Sequence, residues 1–189
     1  MQLTLEFITP DAEAAIGYYA GECYAAKRDR EVCIKRAAKC AEDGHLATLR
    51  FAHAVFHIEN ISRACSHQLV RSKHLDFLQQ SQRYVNQAES KFIYPCTKLD
   101  TTISGAYQSA MATYNKLIDL GIKKEDARMV LPEGIATSLF VVGNLQAWKD
   151  FIKLRADKHA QKEIRILAVK INNILAEHCP NIFHWMPEV

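Results

Sequence analysis

Several familiar signatures are missing from this chain, and each absence narrows the field. The six cysteines, Cys23, Cys33, Cys40, Cys65, Cys96 and Cys179, are scattered without CxxC spacing, which argues against a structural zinc site or a dithiol redox pair. No run of about 18 apolar residues occurs, so no membrane-spanning helix is expected. The opening "MQLTLEFITPDAEAA" has neither a basic n-region nor a long apolar h-region, so no signal peptide is expected there. Reduced thiols in a cytoplasmic protein follow as the simplest expectation. There is no Gly-rich phosphate loop and no GxSxG elbow. A large excess of one charge is missing too. The 24 Lys and Arg against 21 Asp and Glu give a net charge of +3, well short of the basic stripe of a nucleic-acid-binding protein. A local anion site is compatible with that balance.

With 189 residues and 49% hydrophobic content, the chain can bury one sizeable core, and residues 1–189 read as a single domain. "LTLEFI" alternates like a strand, and "TPDAEAA" offers a helix start with Thr9 as N-cap and Pro10 at the first helical position. A second helix runs from an Asp29 cap through "DREVCIKRAAKCAEDG" and ends at Gly44. "ATLRFAHAVFHIEN" alternates as a strand. It places Leu49, Phe51, His53, Val55 and His57 on one side and Ala52, Ala54, Phe56 and Ile58 on the other.

"ISRACSHQLVR" reads as a short helix capped by Ser62 that delivers Gln68 and Arg71 to its C-terminal end. "LVRSKHLDFLQQSQRYV" then continues as loop and strand. Asp100 to Gly121 is a long amphipathic helix, "KKEDARMVLP" a short one stopped by Pro132, and "ATSLFVVGN" a buried strand. From Asn144 helical periodicity persists to the "CP" near the end, with a break near residues 156–158. Long helices around separated strands imply an α+β or α/β layered domain.

Three arginines stand inside stretches built for burial: Arg83 in "SQRYV", Arg128 in "DARMVLP" and Arg155 in "FIKLRAD". A buried guanidinium must be paired, either with an anionic or planar carbonyl ligand or with an internal carboxylate such as Asp126 or Asp157. Gln68, Gln79, Gln80 and Gln82 cluster with Ser81, and their amides carry both donors and acceptors, as a nucleobase or flavin ring requires. His53 and His57 share a strand face with no third ligand, so no metal site is expected. Ser81 has no general base beside it in the sequence, which leaves covalent serine catalysis weak.

"ISRACSHQLVR…QQSQRYV", "ARMVLP", "VVGNLQAWKDFIKLRADKHAQKEIR" and the late "CP" occur in an order and at spacings that resemble the flavin-dependent thymidylate synthases. The likeness covers most of the chain from Gly44 onward. It implies a mixed α/β subunit, with a central, mainly antiparallel sheet flanked by long helices, assembled as a homotetramer with active sites at subunit interfaces. It further implies FAD reduced by NADPH as hydride source, methylenetetrahydrofolate as carbon donor, and dUMP as the pyrimidine nucleotide methylated at C5. By position, Gln68, Gln79, Gln80, Ser81, Arg83, Arg128 and Arg155 would hold the nucleotide, and Arg155 would polarise the uracil ring where negative charge develops. Arg71, Ser72, Lys73, Asn144 and His159 fall at cofactor-facing positions, with His159 one helical turn beyond Arg155.

The departures fall on the flavin side. The family's RHR reads Arg71, Ser72, Lys73 here, and Asp76 stands at a usual serine. "GHxSxxEH" appears as "GHLATLRF", with Ala47, Arg50 and Phe51 replacing a hydroxyl, a glutamate and a histidine, and Gln146 stands where an arginine is common. Three readings follow: a thymidylate synthase with altered flavin contacts, a relative acting on another pyrimidine nucleotide such as UMP, or a nucleotide-binding paralogue without the cofactor. Retention of three arginines favours the enzymatic readings, since unpaired buried charge is costly. dUMP is the default substrate.

Overall fold

Alternation along residues 54–58 decides the two faces of the sheet. Ala54, Phe56 and Ile58 are fully buried, while His53, Val55 and His57 point the other way, as the two-residue period of a strand dictates. The computed structural model describes residues 1–94 and 101–189; Cys96, and Asp100 at the expected helix start, lie outside the described residues. Within them, β1 (Gln2–Ile8), β2 (His53–Ser62), β3 (Leu75–Gln79) and β4 (Ala136–Asn144) form one antiparallel sheet in the order β1-β2-β4-β3.

The central strand β4, expected to be buried, is buried on one face only. Leu139 and Val141 are inside, but Phe140 and Val142 remain 43% and 36% exposed. An antiparallel sheet needs only one covered face. On the open face the His57 ring stacks on Phe140 at 4.2 Å, and Phe7 and Leu78 are also exposed.

Two helices, α1 (Ala12–Ala20) and α2 (Arg30–Glu42), form the expected hairpin. Their backbones meet so closely that a Cβ at Gly17 would lie 1.8 Å from the Cys33 carbonyl oxygen. The start of α1 differs from the expected Thr9 cap. Asp11, in the left-handed region at φ 46°, precedes the helix, and the Thr9 hydroxyl instead accepts from the His53 backbone N–H at 2.9 Å, which ties the chain to β2. Residues Leu46–Phe51 form a 3-10 helix rather than the start of β2. The sheet ladder ends where His53 faces Asn144, so residues further upstream have no strand to pair with.

Helix α3 (Arg63–Leu69) has the expected cap, its Ser62 hydroxyl accepting from Cys65 N–H at 3.0 Å. After β3 come α4 (Thr101–Asp119), α5 (Lys124–Ala127) and a 3-10 turn over Arg128–Val130. The last third breaks into α6 (Leu145–Arg155), capped by Asn144, and α7 (Lys162–His178). Trp148 of α6 anchors the core: its ring lies edge-on to Phe56 at 5.0 Å and its indole N–H donates to the Ala54 carbonyl at 3.2 Å. Burial of such apolar surface is the main force holding α6 and α7 on the sheet.

Candidate functional site

Helix α3 is pinned at both ends. At its start, Glu163 of α7 accepts from both the Ser62 backbone N–H (2.8 Å) and hydroxyl (2.6 Å). At its end, the Arg155 guanidinium donates through Nη2 to the Gln68 carbonyl at 3.0 Å. The Gln68 side-chain amide donates to the Ala64 carbonyl and to Gln161 Oε1 just ahead of α7. Gln68 and Arg155 are therefore brought together as expected. The Arg155 Nε is buried without a partner among the described residues, a costly arrangement unless a ligand accepts from it. Burial pushes the Cys65 thiol pKa upward, with Glu163 adding to the rise and Arg155 opposing it, so this thiol stays protonated and unreactive.

Gln79, at the end of β3, turns its amide inward. It donates to the Ser66 hydroxyl at 2.9 Å and the Thr137 hydroxyl at 3.1 Å, joining β3 to α3 and β4. Gln80 is exposed, its backbone N–H held by the Ser138 carbonyl at 3.0 Å.

Ser81, Arg83 and Arg128 form a second group. Ser81 carbonyl accepts from the Tyr84 and Val85 N–H groups, shaping a turn. Arg83 pairs with Glu125 at 2.9 Å, and Arg128 donates through Nε to the Glu125 carbonyl at 3.1 Å. The partners are thus Glu125 and a carbonyl, not the Asp126 or Asp157 weighed from the sequence. Arg83 also proves exposed, its side chain 56% accessible, because β3 ends four residues before it and leaves its turn on the surface. No hydrogen bond or ion pair joins the two groups among the described residues.

Between them lies a cavity of about 300 Å³ whose polar lining is Arg63, His67, Gln82, Arg128 and Glu133. Arg63, His67 and Glu133 were not among the expected site residues. The i, i+4 spacing of Arg63 and His67 behind the Ser62 cap was the legible signal, since it puts both on one face of α3. Glu125, Gln161 and Glu163 were missed for another reason: each acts through a partner distant in the chain.

One family model, Thymidylate synthase complementing protein, matches residues 4–181. The chain belongs to this family. It is 36% identical over 198 residues to the flavin-dependent thymidylate synthase of Geobacter sulfurreducens, covering 97% of this chain and 85% of that protein. It is 36% identical over 160 residues to the enzymes of the same name from Mycobacterium avium and Mycobacterium tuberculosis, covering 74% of this chain. The chain spans 64% of the length of those mycobacterial relatives.

The turn that departs from the family's RHR follows α3. Arg71 and Lys73 are exposed and make no hydrogen bond or ion pair among the described residues, while the Ser72 hydroxyl is buried without a partner. Gln146, only 8% exposed, donates to Asp150 at 2.8 Å and leaves its Oε1 buried and without a partner among the described residues. Asn144 spends its oxygen capping α6, accepting from the Ala147 N–H at 2.9 Å. The Ser72 and Gln146 oxygens without partners among the described residues, together with exposed Arg71 and Lys73, have the chemistry that a flavin's ring edge and phosphates would need.

His159 does not lie one helical turn beyond Arg155. Helix α6 stops at Arg155, and His159 sits in the following loop, with both its backbone N–H and Nδ1 at 2.8 Å from the Asp157 carboxylate. These contacts lower the Asp157 pKa, the backbone bond from His159 contributing most. Among the described residues no helix is long and apolar enough to cross a membrane, and no cluster of His, Cys, Asp or Glu could hold a metal ion.

Proposed function

We propose that this protein catalyses flavin-dependent methylation of dUMP at C5, yielding dTMP, in the cytoplasm and as one domain over residues 1–189. The observation that carries the reading is Arg155, bound to the Gln68 carbonyl yet retaining a buried, unpartnered Nε. A buried donor left in this way calls for an acceptor, and a guanidinium beside a uracil carbonyl stabilises negative charge developing on the ring. The Gln68 and Gln79 amide nitrogens are already held by the protein, which supports a preorganised pair of side-chain oxygens for the base. Ser81, Arg83 and Arg128 serve the phosphate end, and exposed Gln80 borders it.

FAD, reduced by NADPH, supplies the hydride when bound, and methylenetetrahydrofolate is the carbon donor. Arg71 and Lys73 would meet the FAD phosphates, and Ser72, Asn144 and Gln146 its ring; His159 would reach the cofactor only from the loop after α6. The separation of the Arg155 and Arg83–Arg128 groups within one chain, together with the open apolar face around Phe140 and Val142, supports a homotetramer whose sites are completed across subunits. Large exposed apolar surfaces mark such contacts.

A second reading, action on UMP or another pyrimidine nucleotide, rests on the rewritten turn at Ser72 and Lys73. One experiment separates them. The purified protein is incubated with FAD, gel-filtered and scanned in the visible, then supplied with methylenetetrahydrofolate, NADPH and either dUMP or UMP, with products identified by mass. A retained flavin band and dTMP are expected. Methylated UMP without dTMP would select the second reading, and a colourless protein without nucleotide turnover would overturn both.

A further inference from the structure

The loop of residues 156–161, between α6 and α7, carries a histidine whose ring is held by its own turn. That turn is closed without the ring. Ala160 N–H donates to the Asp157 carbonyl at 3.0 Å, and His159 N–H donates to Asp157 Oδ1 at 2.8 Å. The His159 ring adds a contact the turn does not need, its Nδ1 lying 2.8 Å from the same Oδ1. The bonds from the His159 backbone and ring, and then the charges of His159 and Arg165, hold the Asp157 carboxyl below the usual carboxylate range. An ionised carboxylate only accepts, so the ring nitrogen facing it carries the proton. The other ring nitrogen, Nε2, makes no hydrogen bond among the described residues, and the side chain is 81% accessible. The loop is also held from α7. Arg165 donates through Nη1 at 3.0 Å to the carbonyl of Lys158, the residue between Asp157 and His159. Its Nε is buried without a partner among the described residues. Arg155 just before the loop and Gln161 at its end both bond Gln68, so the turn is anchored beside the end of α3.

We propose that Asp157 and Arg165 are positioning residues for His159: Asp157 accepts the Nδ1–H and so fixes the tautomer, Arg165 holds the loop through Lys158, and Nε2 is left as the acceptor offered to a ligand. A carboxylate on one ring nitrogen decides which of the two carries the proton. An imidazole free in water keeps its proton mostly on Nε2, so this contact reverses the intrinsic preference. The ligand group that suits a neutral Nε2 is an imide N–H, which the flavin ring and the uracil base both carry. The assignment rests on the reading of His159 as ligand-facing and adds two residues which that reading does not use.

The test uses the full chain and two measurements. Long-range proton–nitrogen NMR of protein labelled with 15N-histidine, assigned with His159→Gln, reads the tautomer of the neutral ring without any ligand. The proton should sit mainly on Nδ1 in wild type, and its share there should fall in Asp157→Asn, which keeps the turn but removes the charge. A wild-type ring protonated mainly on Nε2 would overturn the assignment. Titrations with FAD and with dUMP then use His159→Gln, Asp157→Asn and the double variant. Asp157→Asn should weaken one of the two ligands about threefold, the scale of an exposed ion pair, and should add nothing once His159 is Gln. The ligand that responds identifies the imide. An equal further loss in the His159→Gln background would mark a merely structural residue and sink the proposal. Arg165→Gln should weaken the same ligand, with partial rescue in Arg165→Lys, whose ammonium still donates to a carbonyl; unchanged affinity would remove Arg165. If His159→Gln alters neither ligand while Nδ1 keeps the proton, the ligand-facing reading fails and the tautomer assignment stands.

Discussion

Arg155 reaches from the last residue of α6 to the carbonyl of Gln68 in the last turn of α3, a 3.0 Å bond between residues 87 positions apart. With Nη2 committed there, the Arg155 Nε is left buried and without a partner among the described residues. The bond makes Arg155 a clamp on the helix end, and on the proposed reading its Nε is the donor to the nucleotide.

Replacing Arg155 by Ala should therefore weaken dUMP binding or turnover by about 1.5–3 kcal/mol, the scale of a hydrogen bond involving a charged group. Titration calorimetry with dUMP, paired with a turnover assay, reads it. Unchanged affinity together with unchanged turnover would remove Arg155 from the site.

Restoring the family pattern through Ser72→His with Lys73→Arg should tighten FAD about tenfold, because arginine regains a bidentate fork and histidine a planar donor. Flavin fluorescence quenching on titration measures it. No change would place the cofactor away from this turn.

Gly17→Ala should destabilise the fold by about 1–3 kcal/mol, the usual cost of overpacking. The new Cβ would collide with backbone at Cys33, and backbone cannot rotate away as a side chain can. Urea unfolding gives the value, and a midpoint unchanged from wild type would contradict the close helix approach.

Alkaline pH should destabilise the protein through its buried thiols. Burial pushes the Cys179 thiol up from an ordinary value of 9.0 to about 12, with Glu13 and Asp11 adding to it, and Cys65 rises by the same main cause. Above about pH 9 the unfolded thiols ionise while the native ones stay protonated, so stability is full below that pH and declines as pH climbs toward 12. Denaturation midpoints measured from pH 8 to 11 should fall more steeply in wild type than in a Cys179→Ala variant. At pH 8, iodoacetamide should label exposed Cys23 in the native state, and Cys65 and Cys179 only after unfolding; prompt native labelling of Cys179 would contradict its burial.

Local signals were legible where one stretch of chain settles its own structure. The Ser62 cap, the break after Arg155, the alternation of Ala54, Phe56 and Ile58 and the Gly44 and Gly121 stops all depend on neighbours within a few residues. The Thr9 cap failed because a partner 44 residues away took its hydroxyl. The strand expected from Ala47 failed because no second strand reaches that far. Arg83 looked buried from its apolar neighbours, yet its turn leaves it on the surface. Its exposure and its pairing with Glu125 leave the argument from trapped charge resting mainly on Arg155, with Arg165 as an unforeseen second case.

The sequence by itself determined the layered α/β class, the capped helix that carries Gln68, and membership of the family through "SHQLVR", "QQSQRYV" and "LRADKHAQKEIR". Periodicity, capping and residue order are one-dimensional, so one dimension suffices to read them. Only the tertiary structure decided that Glu163 and Gln161 hold α3, that Gln79 spends its amide inward, and that Arg63 faces Arg128 across one cavity. Those facts arise when α7, the residues after β3 and the turn after α5 converge on a single short helix. Charge without a partner becomes visible only once every possible partner has been placed.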